Sequence, residues 1–271
     1  KIMMFRPELN FERMNNGLDR IVAPRLVKEI FFEGIQQVVY ANRDDIPEYG
    51  KQQSFYIRPF VIGHGMNLGV KPSEEYIFSV FGAPVGTYFA GGLSALEFVT
   101  TDYDRAASNG TGQVKLAGNY GASLYPRQQA KDAGYAGVIY LDPGTHTKID
   151  EVGAANFFAV THDNVVVTPK SGSILPSITR RSILYLAEHY LGLKTEEREC
   201  FIDNIQEFKE AGACGTAAII TPIKGITHKG KRHQFGEGNV GPTIKKLYDL
   251  LLGIYYGEIE APEGWLTEVK V

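Results

Sequence analysis

The chain has 271 residues, 44% hydrophobic and 22% charged, which allows one large domain or two smaller ones, each with its own core. A formal net charge of −3 argues against nucleic acid or an anionic membrane as a partner. Two cysteines, Cys200 and Cys214, are too few for a disulfide framework and fit a reducing cytoplasm.

The chain opens at Lys1 directly into apolar Ile2-Met3-Met4-Phe5, which reads as a strand entered midway. The natural N-terminus is therefore expected to be missing, and no secretory signal is expected. A turn at Arg6-Pro7-Glu8 leads to a helix through Met14 and Leu18, with Asn10 as its cap. A second helix is predicted over residues 24–39, with Leu26, Ile30, Phe31, Ile35 and Val38 on one face. Residues 54–62 and 76–81 read as strands of one sheet. The most apolar stretch, residues 76–100, is broken by Gly82, Pro84, Gly86, Gly91 and Gly92 and carries Glu97, so it is not a membrane span.

The Gly- and Pro-rich run 82–92 suggests a link between domains, giving a small domain 1–85, a linker 86–96 and a large domain 97–271. Beyond it come a strand near 96–101, a helix over 123–133 ended by Gly134, and an apolar strand 137–141. A hairpin is expected from 157–160 and 165–168 around His162-Asp163-Asn164, then helices after Pro176, over 202–211 and over 243–255. Strands and helices without strict alternation indicate an α+β fold. The six histidines lack metal-ligand spacing, so no metal is expected.

Four segments could carry chemistry. Lys115 lies in Val114-Lys115-Leu116-Ala117-Gly118-Asn119-Tyr120, a poor context for a solvated lysine. In an apolar, open setting an amine can attack an aldehyde to form a Schiff base, and Tyr120 could tune it; a lysine snorkelling from a strand end is the plain alternative. Glu151 precedes the bend Gly153-Ala154-Ala155 and could pair with a protonated pyridine nitrogen, or be an exposed turn acid. Ile174-Leu175-Pro176-Ser177 leads into a helix whose first amides, on Ile178 and Thr179, suit a phosphate or simply belong to a well-capped helix. Gly212-Ala213-Cys214-Gly215-Thr216-Ala217 lets backbone approach an anion at Thr216, or serves tight packing; Cys214 reads as buried and not as a nucleophile.

Together these segments resemble the branched-chain amino acid aminotransferases among the fold-type IV pyridoxal-phosphate enzymes. The match is collinear from Phe5-Arg6-Pro7-Glu8-Leu9-Asn10 to Tyr256-Gly257. Lys-x-x-Gly-Asn-Tyr, Glu-Val-Gly with an Asn three residues on, Ile-Leu-Pro before a helix, and Gly-Thr-Ala are specific in combination. The resemblance implies a small N-terminal α/β domain and a larger pseudo-barrel domain, with pyridoxal 5'-phosphate as cofactor. It implies Lys115 as Schiff-base lysine and proton carrier, Tyr120 at the ring's phenolic oxygen, and Glu151 at its pyridine nitrogen. The phosphate falls to Arg13, the amides of Ile178 and Thr179, and Thr216. Tyr56 with the amides of Thr216 and Ala217 resembles the α-carboxylate site, and Arg58 the arginine for the glutamate side chain. Val70 and Tyr88 would wall an apolar pocket.

The implied substrates are L-leucine, L-isoleucine, L-valine, 2-oxoglutarate and L-glutamate, and the implied assembly is a homodimer or higher homo-oligomer. D-amino acid aminotransferase and aminodeoxychorismate lyase share the fold type, and a catalytically dead cofactor-binding homologue is a further alternative. Tyr56-Ile57-Arg58-Pro59 and the tail 258–265 favour the branched-chain type. Three departures stand out. Ala154-Ala155 replace the Thr-Met or Ser-Met of many members, Ala218 and Thr221 replace a redox cysteine pair, and the Phe-Glu-Gly segment before the first strand is missing.

Overall fold

The computed structural model describes residues 1–50, 53–86 and 93–270. It divides into two units, Lys1–Ala90 with Glu260–Val271, and Gly91–Ile259.

In the first unit, β1 (Ile2–Phe5) pairs antiparallel with Leu266–Val269 near the far end of the chain, from Ile2 opposite Val269 to Phe5 opposite Leu266. The expectation of a large domain running through 97–271 therefore meets a division at residue 260, because that last strand completes a sheet begun by β1. Helix α1 (Pro7–Arg20) starts earlier than its predicted cap. Arg6 takes a left-handed conformation (φ 46, ψ 50), and Pro7, with φ fixed and no N–H to satisfy, opens the first turn. Asn10 lies inside the helix and donates to the Arg6 carbonyl at 3.1 Å.

Helix α2 (Lys28–Ala41) begins only after the extended Val27, later than the predicted 24. Its buried Phe31, Ile35 and Val39 recur at helical spacing and pack with Ile57, Phe78 and Val80. Those partners come from a two-stranded hairpin, β2 (Ser54–His64) and β3 (Glu75–Val85), in register from Ser54 opposite Val85 to His64 opposite Glu75. Gly34 lets α2 approach β3 closely, since a Cβ there would lie 3.1 Å from the Phe78 ring.

The second unit is built on β4 (Leu96–Thr100), α3 (Ala117–Gly121), α4 (Leu124–Asp132), β5 (Gly137–Leu141), β6 (Ile149–Val152) and β7 (Ala155–Thr161). It continues through β8 (Val166–Pro169), α5 (Ile178–His189), β9 (Thr195–Arg198), β10 (Phe208–Gly215), β11 (Ile219–His228), β12 (Lys231–Gln234) and α6 (Pro242–Tyr255). Strands β4, β5, β6, β7, β10 and β11 pair in that order, and β11 returns to β4, so these six strands close into a barrel. Strands β8 and β9 extend it from β7, and β12 from β11.

Alternation along the strands sorts the two faces. Ile139 and Leu141 of β5 join Val152, Phe157 and Ala159 in the main core, whereas Val138 and Tyr140 pack with Ala130 of α4. Truncating a fully buried ring such as Phe157 to alanine costs about 3–5 kcal/mol. The outer face of β10 is small because helices press on it. A Cβ at Gly212 would meet the Phe158 ring at 2.8 Å and Ile244 of α6 at 3.4 Å.

The helix predicted over 202–211 is not formed. A short 3-10 segment, Ile202–Glu207, gives way directly to β10. Ile202, Ile205 and Phe208 recur every third residue as on a helix, but all three feed the barrel core. Among the described residues no helix is long and apolar enough to cross a membrane.

Candidate active site

Lys115 is held by the loop that carries it. The Asn119 amide donates to the carbonyls of Thr111 (2.8 Å) and Val114 (2.9 Å), and its Oδ1 accepts from the Thr111 hydroxyl at 2.7 Å. This stitching fixes the turn into α3 and sets Lys115 Nζ to donate to the Tyr120 hydroxyl at 2.6 Å. The amine also lies 5.1 Å from the Tyr120 ring centroid. Lys115 follows the buried Val114, yet it is itself exposed, as α3 buries none of its residues. The poorly solvated lysine expected from the sequence is therefore not what the second unit presents, and neither is a lysine at a strand end.

Glu151 is the opposite kind of residue, only 3% exposed. Register explains its direction: Tyr140, Glu151, Asn156 and Cys214 stand opposite one another across β5, β6, β7 and β10. They share the face turned away from the barrel core. The two-residue turn at Gly153 (φ 56) and Ala154 reverses the chain between β6 and β7. Oε1 of Glu151 accepts the Leu175 N–H at 2.6 Å and the Asn156 amide at 3.5 Å, while Oε2 lies 3.3 Å from Arg105 Nε. Burial pushes the carboxyl up to about 7, opposed first by the Arg105 charge and then by the Leu175 N–H. It is no exposed turn acid.

One cavity is lined by Tyr120, Glu151, Arg105, Ala154 and Leu175, so the Lys115–Tyr120 pair and Glu151 belong to one place. The segment that binds Glu151 also delivers the helix end. Leu175 accepts from the Asn156 amide at 3.1 Å, and three residues later α5 begins behind the Ser177 cap, whose hydroxyl accepts the Arg180 N–H. Ile178 and Thr179 open the helix, where no preceding turn supplies partners for their amides. Thr216 and Ala217 form the exposed turn between β10 and β11. A Cβ on Gly215 would lie 3.7 Å from Ala155, which puts this turn beside the one that follows Glu151. Burial raises the Cys214 and Cys200 thiols to about 12, which disfavours the thiolate form.

The remaining residues belong to the first unit. Arg13 donates to Asn10 Oδ1 at 3.0 Å. Tyr56 and Arg58 share one face of β2, with the guanidinium 3.5 Å from the Tyr56 hydroxyl and 5.2 Å from its ring centroid. Val70 is fully exposed in the loop after β2. Tyr88 lies outside the described residues.

Pyridoxal 5'-phosphate needs an amine for its aldehyde, an acceptor for its ring nitrogen and donors for its phosphate. The donor set fits. Lys115 supplies the amine beside a hydroxyl, Glu151 keeps Oε2 turned from its two neutral donors, and α5 offers a helix N-terminus. Sequence reading missed Arg105 and the Leu175 amide. Arg105 sits in Asp104-Arg105-Ala106-Ala107-Ser108, with no periodicity or motif to single it out.

A family model for class IV amino-transferases matches residues 2–226. A branched-chain-amino-acid aminotransferase of Haemophilus influenzae is 54% identical over 99% of this chain and 80% of its own length. The branched-chain amino acid aminotransferase of Escherichia coli superposes with a TM-score of 0.83 at 29% identity, over 99% of this chain and 85% of that one. The Thermobaculum terrenum enzyme of the same name, solved in its PLP-form, gives 0.83 at 26% identity, over 99% and 84%. From the site upward and from these likenesses, the chain belongs to the class IV aminotransferases, among the branched-chain-amino-acid aminotransferases.

Proposed function

We propose that this aminotransferase moves the amino group of L-leucine, L-isoleucine or L-valine to 2-oxoglutarate, yielding branched-chain 2-oxo acids and L-glutamate with pyridoxal 5'-phosphate as cofactor. The observation that carries this reading is the hydrogen-bonded Lys115–Tyr120 pair at one cavity with a buried carboxylate, Glu151, in a chain 54% identical to a branched-chain-amino-acid aminotransferase.

When bound, the cofactor supplies the electron sink that makes the substrate Cα–H acidic. Lys115 Nζ would take that proton from Cα and deliver it at the cofactor's C4′, on the far side of the substrate nitrogen. Its exposure leaves the amine free to reach both atoms, and the Tyr120 hydroxyl holds it between transfers. Glu151 accepts the ring N–H and keeps the ring cationic. The amides of Ile178 and Thr179, Thr216 and Arg13 bind the phosphate. Tyr56 with the amides of Thr216 and Ala217 takes the α-carboxylate, and Val70 and Tyr88 contact aliphatic side chains. Arg58 receives the side-chain carboxylate of glutamate, since a carboxylate leaving water needs a paired cation. Substrates alternate on one cofactor, so ping-pong kinetics are expected. The protein is expected to work in the cytoplasm as a homodimer or higher homo-oligomer.

The test is to load the protein with pyridoxal 5'-phosphate, reduce with borohydride and map the pyridoxyl mass, expected on Lys115. Glutamate formation from L-leucine and 2-oxoglutarate is then compared with that from D-alanine. A cofactor-loaded protein that uses D-alanine and ignores L-leucine would overturn the substrate assignment. Absence of a Lys115 adduct would overturn the cofactor site.

A further inference from the structure

Arg105 is a buried cation that none of the roles above uses. Its side chain is 8% exposed and that of Glu151 is 4%. Its guanidinium faces two ways at once. Nη2 donates to the Ser173 carbonyl, and Nε lies 3.3 Å from Glu151 Oε2 without the alignment of a hydrogen bond. Two residues past that carbonyl, the Leu175 N–H grips Oε1 of the same carboxylate at 2.6 Å. The backbone makes room for this arrangement. A Cβ at Gly112 would collide with the Ser173 carbonyl and lie 2.9 Å from Arg105 Nη2.

Other charges around Glu151 do not substitute for Arg105. Asp150 is its buried neighbour in β6, its Oδ2 engaged by the Ser173 hydroxyl, and it adds like charge. Tyr140, opposite Glu151 on β5, is neutral, with burial raising its phenol. Lys115 also favours the charged carboxylate, but less than Arg105 does.

We propose that Arg105 is a positioning residue that holds Glu151 anionic and aimed at the cofactor ring, by bridging its carboxylate to the Ser173 carbonyl. The role rests on the reading of Glu151 as partner of the pyridine nitrogen. Carboxylate and ring nitrogen share one proton. A cation 3.3 Å from the carboxylate lowers that carboxylate's own hold on the proton and so favours the proton on the ring nitrogen. Loss of the cation returns it to Glu151. An arginine suits the task because one planar group serves an anion and a carbonyl in fixed directions, which a lone ammonium cannot.

The test is the nitrogen-15 spectrum of ring-labelled pyridoxal 5'-phosphate bound to wild type, R105Q and R105K, read beside the cofactor's dissociation rate. Wild type is expected to show a protonated ring nitrogen. R105Q should move that signal most of the way to a hydrogen-bonded, unprotonated pyridine and speed cofactor loss about tenfold. R105K should fall between them. A wild-type signal in R105Q, however unstable the variant, reduces Arg105 to a structural ion pair and overturns the proposal. If R105Q does not fold, R105K decides: a partial shift supports the role and an unchanged signal overturns it. A wild-type protein that binds cofactor with an unprotonated ring nitrogen refutes the reading of Glu151 itself, before any variant is compared, and this inference falls with it.

Discussion

The two ends of the candidate site are built on opposite principles. Lys115 stands exposed on a loop, tied down by Asn119 and touching Tyr120. Glu151 stands on a barrel strand, 3% exposed and held by a backbone N–H, an amide and a guanidinium. A group that must reach two carbons and shed its proton in turn profits from freedom. A group that must keep one charge state against the same spot profits from burial, at a cost in stability when its partner is missing. Chemistry and stability are thus separated along one cavity, and substitutions should divide accordingly.

The largest effect is expected at the exposed end. Lys115→Ala should lower transamination by about 10³-fold or more. Its melting should stay within about 0.5 kcal/mol of wild type, as for an ordinary surface change. A large loss of stability there would break the contrast. Glu151→Ala should do the reverse in urea unfolding of the apoprotein, costing about 3–5 kcal/mol because Arg105 is left buried and unpaired. A cost below about 1 kcal/mol would mean that water reaches the pair.

The pH dependence sharpens the same point. In the folded protein the Glu151 carboxyl sits at about 7, against 4.5 ordinarily, so the folded state keeps this proton longer than the unfolded state does. Its stabilising contribution is therefore complete below about 4.5 and lost as pH climbs through about 7. Glu151→Gln cannot titrate. Relative to wild type it should gain up to about 3 kcal/mol between those pH values, read from apoprotein melts. Parallel pH profiles would show that Glu151 is already ionised when folded. Smallest, Ser177→Ala removes the hydroxyl that accepts the Arg180 N–H, and should cost about 1 kcal/mol in the same melts.

The sequence was legible where a short-range pattern carried the answer. Strand β5 and the β7–β8 hairpin announce themselves as apolar runs between turns, and α6 as an amphipathic stretch after a proline. Strand β10 was not legible. Its small residues fit tight packing of any kind, and only closure against β7 and β11 makes them a strand. The site shows the same split. Lys115, Tyr120 and Glu151 stand out through their match to a known pattern; Tyr120, which accepts from Lys115, and Glu151 line one cavity. Arg105 and the Leu175 amide act through contacts across 46 and 24 residues, which no local pattern encodes.

The pairing of β1 with Leu266–Val269 has a consequence for synthesis. A ribosome makes Ile2 before the barrel strands and Val269 after them, so the first unit's terminal sheet cannot form until the whole barrel segment has been synthesised. The barrel carries no such dependence, because all its strands lie between Leu96 and His228. During translation the barrel can close while α1, α2 and the β2–β3 hairpin still lack their partner strand. Nascent chains should therefore gain protease resistance in the barrel before they gain it in residues 1–90.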